Sequence, residues 1–489
     1  VTASLARARA LSARLLGLLD ARPLLLWLAV FLPLVTLYLA TMRTNVMDMS
    51  ADPVAVTPSA WGLAHLGSPV VPASHWPTWN PWAVHVGGDL VVSNRAPGLV
   101  LLATPFYWLF GSASPFDPFP ASLAAALITA AAMATLALVF RRLCGTPVAF
   151  AAAYVAGVAT TTWAVSGTSL WPHGPDELLL ALAMVGCVSG SLLGTAMAFM
   201  VIAVIRPPHE IIVATLTADG LLRRRPWLRL AVFSTVSGLG LLLYLAYAEV
   251  FWHGGLDSGY ADVGSSFTGK FFDVSPGALG HYVVNVLGAL VAPGKGVLPN
   301  SPFLLALLPG LRAGWRAAPR WSRSFAVGGV LYLLVILKAN RFSGGDEFWG
   351  YRYPIGTLTA IAPLLVFAWV HWTSRTAVRR RAFVALLAVS VALQTIGATI
   401  FRGPYAESPW SLHDLTAALT GPQAAQAQAI WVTGLAVAAL SLSPIALACV
   451  RRRWRAPVEH TPGTTRSARA GVLHVARPDH VLVPVDVNA

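Results

Sequence analysis

The stretch PASLAAALITAAAMATLALVFRR, Pro120 to Arg142, decides how this chain is read. From Pro120 to Phe140 it carries no charge, and as a helix it is long enough to cross a bilayer core of about 30 Å. Two arginines close it, and cations at the end of such a run mark the cytoplasmic side. The pattern recurs along the chain. Candidate spans are 24–42, 120–140, 146–166, 175–193, 194–206, 208–222, 229–250, 300–316, 325–340, 355–373, 382–401 and 428–450. The composition agrees: of 489 residues, 56% are hydrophobic and 11% charged, against about 25% charged in soluble domains. The expected fold is all-α, a polytopic membrane protein of about twelve spans.

The arginines orient it. With Arg7, Arg9, Arg14 and Arg22 inside, the even-numbered spans return to the cytoplasm at Arg141–Arg142, Arg223–Arg229, Arg312–Arg323, Arg375–Arg381 and Arg451–Arg455. Both termini are then cytoplasmic. The net charge of +14 is thereby spent on orientation, helped by anionic lipid, and a nucleic-acid partner is excluded. The run 24–42 is too long for a signal h-region and reads as a retained first span. Residues 1–23 form a basic cytoplasmic start, 24–455 the membrane domain, and 456–489 a disordered cytoplasmic tail. Cys144, Cys187 and Cys449 have neither metal-ligand spacing nor a disulfide framework. No phosphate-cradling Gly-rich loop of the nucleotide-binding type occurs.

The outer loops carry mixed charge. The first, 43–119, holds Asp48, Asp52, Asp89 and Arg95. Within it, DPVAVTPSAWGLAHLG (52–67) opens on Asp-Pro, which suits an N-cap followed by Pro at the first helical position. The stretch is expected to be an amphipathic helix lying on the outer surface. A second interfacial helix follows Ala96-Pro97-Gly98. Asp48 lies one helical turn before Asp52, and a like charge there would raise one of the two pKa values. Capping alone is the competing reading of Asp52.

Further along, Arg206-Pro207-Pro208-His209-Glu210 places ionisable groups between two apolar runs, where they are costly and therefore functional candidates. Snorkelling at a span end is the alternative. Trp171-Pro172-His173-Gly174-Pro175 joins two spans, and Asp176 and Glu177 then suit the dipole of the following helix. Lys295 and Arg352 sit on Gly-rich turns whose amides can approach an anion. Trp76, Trp79, Trp82, Trp108, Trp163, Trp171 and Trp252 read first as an interfacial aromatic belt.

The order of these motifs resembles the GT-C superfamily of polyprenyl-phosphate-dependent membrane glycosyltransferases, in particular bacterial proteins similar to protein O-mannosyltransferases. It runs from Asp52, through Leu63–Gly67 (LAHLG) and Gly88-Asp89…Ser93-Asn94-Arg95-Ala96-Pro97-Gly98, to Trp171–Pro175 and Arg206-Pro207. Pro293-Gly294-Lys295-Gly296…Asn300-Ser301-Pro302 and Gly344-Gly345…Tyr351-Arg352-Tyr353 complete it. The resemblance covers most of 24–375. It implies a multi-pass protein of the bacterial plasma membrane, acting at the outer face on a polyprenyl-phosphate sugar donor and a glycan, lipid or protein acceptor. It implies an acidic catalytic residue in the first outer loop, Asp52 first and Asp48 second. Arg206, Arg352, Lys295 and His173 are the expected donor-phosphate contacts, and Arg95, His209, Glu210 and Tyr260 the expected substrate contacts. No adjacent acidic pair or Asp-x-Asp stands in the loop, so a divalent cofactor is left open and no metal ligands are assigned. The rival classes are a transporter or flippase, and a ligase moving whole glycans from a lipid carrier.

Overall fold

The computed structural model describes residues 17–111, 114–252, 267–345, 347–401 and 408–420. Helix α1 (Pro23–Thr41) opens with proline at its first position, where the missing N–H costs nothing. A 3₁₀ turn (Val46–Asp48) leads to α2 (Ala51–His65). Three short strands follow, β1 (Val71–Pro72), β2 (Ala83–Gly87) and β3 (Leu90–Ser93), then α3 (Pro97–Phe110). The strands form one antiparallel sheet in the order β1-β3-β2, with Val71 opposite Val91 and Val84 opposite Val92. Gly87 and Gly88, both at positive φ, make the turn between β2 and β3.

The helices continue as α4 (Phe119–Cys144), α5 (Thr146–Ala159), α6 (His173–Ser189), α7 (Leu192–Ile205), α8 (Glu210–Leu222) and α9 (Trp227–Trp252). Then come α10 (Phe267–Phe272), α11 (Pro276–Val291), α12 (Val297–Asn300), α13 (Leu311–Ala317), α14 (Arg320–Ala339), α15 (Pro354–His371), α16 (Ala377–Thr399) and α17 (His413–Thr420). Among the described residues, six helices are long and apolar enough to cross a membrane: α1, α4, α9, α14, α15 and α16.

The quoted stretch, in α4, is the centre of the bundle. Its alanines are buried on almost every side, and α1, α5 and α6 pack against it. Lipid tails are as apolar as a protein core, so helix association in a bilayer depends on close packing of small residues. The alanines supply that. So does Gly157, where a Cβ would meet Leu34 and the Tyr38 hydroxyl at 3.0 Å. Tyr38 donates to the Gly157 carbonyl at 2.8 Å, tying α1 to α5. At the rim, α9 leaves Val232, Leu239, Leu242, Leu243 and Val250 exposed, an apolar face suited to acyl chains.

Several expectations are corrected. Helix α2 is no surface helix: Pro53 through Gly62 are all buried, beneath α3 and the small sheet. Its N-cap is Ser50, not Asp52, so Pro53 is the third helical residue. The span expected at 300–316 is broken into α12, two 3₁₀ turns and α13, with Pro302 and Pro309 at the breaks. Helix α11 and the sheet were not anticipated. Of the tryptophans read as a belt, Trp76, Trp163, Trp171 and Trp252 are buried, and Trp163 and Trp252 each donate a hydrogen bond of 3.0 Å, to Thr41 and to the Ser93 carbonyl. Trp79 and Trp108 are exposed. The last expected span, the tail and Tyr260 lie outside the described residues.

Candidate active site

Asp52 is the second residue of α2, and its carboxyl is held on both oxygens. Arg95, between β3 and α3, brings Nη1 to 3.3 Å from Oδ1. Arg352 donates from Nη1 to Oδ2. Burial by itself would raise the Asp52 pKa, but Arg95 and Arg352 outweigh it and hold the carboxyl below its ordinary value of 3.8, with a smaller contribution from Arg206. The raised pKa expected from a neighbouring Asp48 is not found for Asp52: Asp48 is not among the groups that shift it, and the arginines lower it. Asp48 ends the separate 3₁₀ turn, and its carbonyl accepts from Arg43.

Both arginines are set by aromatic faces, which favour a guanidinium and fix its plane. Arg95 lies 4.5 Å from the Trp82 ring centroid, and its Nε donates to Asn94 Oδ1 at 2.7 Å. Arg352 lies over Trp171, Phe348 and Tyr353 at 4.8, 5.2 and 5.0 Å. Gly344, at φ +72°, makes room for it: a Cβ there would meet Arg352 Nε at 2.6 Å. The glycine-rich turn thus admits the arginine.

A second group adjoins the first through Tyr353, whose ring lies 5.8 Å from the Arg206 guanidinium. Arg206 caps the C-terminus of α7, where a cation suits the dipole. Its Nη1 donates to His173 Nδ1 at 2.8 Å and stands 3.6 Å from Asp176 Oδ2. Arginine can only donate, so the nearer His173 nitrogen, Nδ1, is its acceptor. His209 stacks on Tyr332 with centroids 4.0 Å apart, its Nδ1 at 3.8 Å from the same Asp176 oxygen. Glu177 Oε1 accepts from the Thr162 hydroxyl at 2.5 Å.

Arg352 Nε, both His209 ring nitrogens and both Asp176 carboxyl oxygens are buried without a hydrogen bond among the described residues. Buried polar groups are ordinarily satisfied. Here five such atoms lie in one polar region. Among the described residues, no three His, Cys, Asp or Glu side chains cluster as metal ligands.

The structure therefore brings together Asp52, Arg95, Arg206, Arg352, His173 and His209. Lys295 belongs to a neighbouring contact. It is buried, donates to the Phe348 carbonyl, and lies 3.8 Å from Asp414 Oδ2 and 4.0 Å from the Phe348 ring centroid. Glu210 opens α8 half-buried and forms no ion pair with a described residue. Sequence reasoning missed Asp176 as a partner of Arg206, having assigned it only a dipole role. It also missed Trp82, Trp171 and Tyr353 as arginine platforms. For Tyr353 and Trp171 the signal was present, since each adjoins a chosen residue or motif.

No protein-family profile and no curated protein sequence matches this chain. Solved structures do. ArnT from Cupriavidus metallidurans in the apo state superposes over 87% of this chain and 76% of its own, at 15% identity and a TM-score of 0.50. ArnT from the same organism bound to undecaprenyl phosphate aligns with 89% and 74% of the two chains at 16% identity and a TM-score of 0.48. The apo oligosaccharyltransferase of Archaeoglobus fulgidus aligns with 84% and 59% at 12% identity and a TM-score of 0.48. The likeness to apo ArnT shows a shared fold across most of this chain.

Proposed function

We propose that this chain is a membrane glycosyltransferase that moves a sugar from a polyprenyl-phosphate-linked donor to an acceptor hydroxyl at the outer face of the membrane. The observation that carries the reading is Asp52 held between two arginines, with Arg206 and His173 alongside. A lone acid would cap a helix. An acid and three guanidiniums in one polar site suit a reaction in which a proton is taken and a phosphate departs.

The chemistry follows from those parts. An acceptor hydroxyl is a weak nucleophile, and a positioned carboxylate that takes its proton contributes about 10²–10⁴-fold. The hydroxyl oxygen bonds to the anomeric carbon. The bond from that carbon to the phosphate oxygen breaks, and its electron pair leaves with the polyprenyl phosphate. Arg95, Arg352 and Arg206 stabilise the charge that develops there. One displacement inverts the anomeric centre. The arginines depress the Asp52 pKa and so weaken it as a base. A lipid phosphate that draws Arg95 and Arg352 to itself relieves that effect, so basicity rises when the donor is seated.

The rival reading is a transporter or flippase of lipid-linked or small polar substrates, which would transfer no sugar. The test is transfer from undecaprenyl-phosphate-linked sugars in membranes, comparing the unaltered protein with Asp52→Asn. Turnover should fall about 10²-fold or more. Undiminished turnover in a folded variant would remove Asp52 from the role of base.

A further inference from the structure

The two arginines beside Asp52 come from distant parts of the chain, and so do the side chains that hold the residue before it. Ala51 is the first residue of α2. Its N–H is one of the four that a helix leaves unsatisfied at its start, and Ser50 provides no side-chain cap. Instead the Ala51 N–H donates to Glu347 Oε2 at 2.9 Å. On the other side of the same residue, Asn80 Nδ2 donates to the Ala51 carbonyl, also at 2.9 Å. Both polar backbone groups of Ala51 are thus taken by side chains remote in sequence.

Each of these side chains shares a segment with one of the Asp52 partners. Glu347 and Arg352 lie on one loop between α14 and α15. That loop grips the first turn of α2 twice, through the Ala51 amide and through the Asp52 carboxyl. Asn80 is buried, and its Oδ1 accepts from the Trp82 amide at 3.0 Å. Trp82 is the platform for Arg95. Asn80 is itself fixed, because Trp76 Nε1 donates to its carbonyl at 3.0 Å.

We propose that Glu347 and Asn80 are positioning residues for the transfer reaction, clamping Ala51 from both sides so that Asp52 stands between Arg352 and Arg95. The catalytic half of this proposal rests on the transferase reading above. The clamp sets where the carboxyl begins its proton transfer, and an error of about 1 Å there costs up to about 10²-fold in rate.

The test compares Glu347→Ala, Glu347→Gln and Asn80→Ala in the whole 489-residue chain in detergent, with the same bacterial lipid added to all. Amide exchange of residues 50–54 should accelerate at least about tenfold in the two alanine variants, with the rest of the chain unchanged. With undecaprenyl-phosphate-linked sugar, kcat should fall about 10- to 100-fold while KM stays within about threefold. Glutamine retains an accepting oxygen, so Glu347→Gln should recover protection and keep turnover within about threefold of the unaltered protein. A general folding defect would not be reversed by glutamine at unchanged KM. Unchanged exchange in Glu347→Ala overturns the clamp, and so does faster exchange with full turnover. If the unaltered protein transfers no sugar, the transferase reading fails, and exchange alone decides the clamp.

Discussion

Arg352 and Lys295 look alike in sequence and behave differently in the fold. Each is a lone cation on a glycine-rich turn, and both touch the ring of Phe348, at 5.2 and 4.0 Å. Arg352 turns from that ring toward Asp52 and keeps Nε without a hydrogen bond among the described residues. Lys295 turns to the Phe348 carbonyl and to Asp414, which joins its turn to the α17 region. The lesson is that a cation's role follows from what its charge meets. A guanidinium that shares one carboxyl and retains donors can pass to a phosphate, whereas an ammonium occupied by a carbonyl and an acid holds a loop in place.

The largest expected effect that separates the two is on lipid-phosphate binding. Arg352→Ala should weaken undecaprenyl-phosphate affinity about 10- to 100-fold, the worth of one or two charge-assisted hydrogen bonds. Lys295→Met should leave that affinity within about threefold but cost about 1–3 kcal/mol of stability through the stranded Asp414 and the lost bond. Titration in detergent micelles and thermal melts of both variants measure this. Equal affinity losses would erase the distinction.

A smaller effect is expected from Gly344→Ala. Its Cβ would press on Arg352 Nε, and the residue would also have to hold φ +72°. Binding should drop about tenfold, part of the Arg352→Ala loss. A neutral outcome would mean that Arg352 can be seated another way.

The smallest effect is one of pH. The folded Asp52 pKa is depressed below 3.8. Its ion pairs therefore contribute fully above the unfolded value and are lost as pH falls through the folded one. The difference in melting temperature between the unaltered protein and Asp52→Asn should be flat from about pH 8 to 5 and shrink only below about pH 4. A difference that declines already near neutrality would mean the carboxyl is raised, as burial alone would make it.

Much of the fold was legible because long apolar runs closed by arginine have few alternatives. The expected runs at 24–42, 120–140 and 229–250 coincide closely with α1, α4 and α9. What the sequence hid depends on remote contacts or short elements. Asp52-Pro53 satisfied every local rule for an N-cap, yet the helix begins two residues earlier than that cap requires, at Ala51, where Glu347 takes the amide from 296 residues away. The two-residue β1 and the four-residue β3 were too short to show alternation. In α11, His281, Asn285 and several glycines interrupt the apolar pattern, and Asn285 donates to the Leu337 and Asn340 carbonyls rather than facing lipid. At the site, the candidate cations were visible as residue types. The platforms and the division of labour between Arg352 and Lys295 needed three dimensions.

The central claim is that Arg95 and Arg352 keep Asp52 a poor base until a lipid phosphate takes them. Difference infrared spectroscopy of the carboxyl, titrated with and without undecaprenyl phosphate and with Asp52→Asn as the blank, tests it directly. The account predicts that Asp52 titrates below 3.8 in the empty protein and moves upward when the lipid phosphate binds. A titration that stays in place on binding, or moves down, would contradict it.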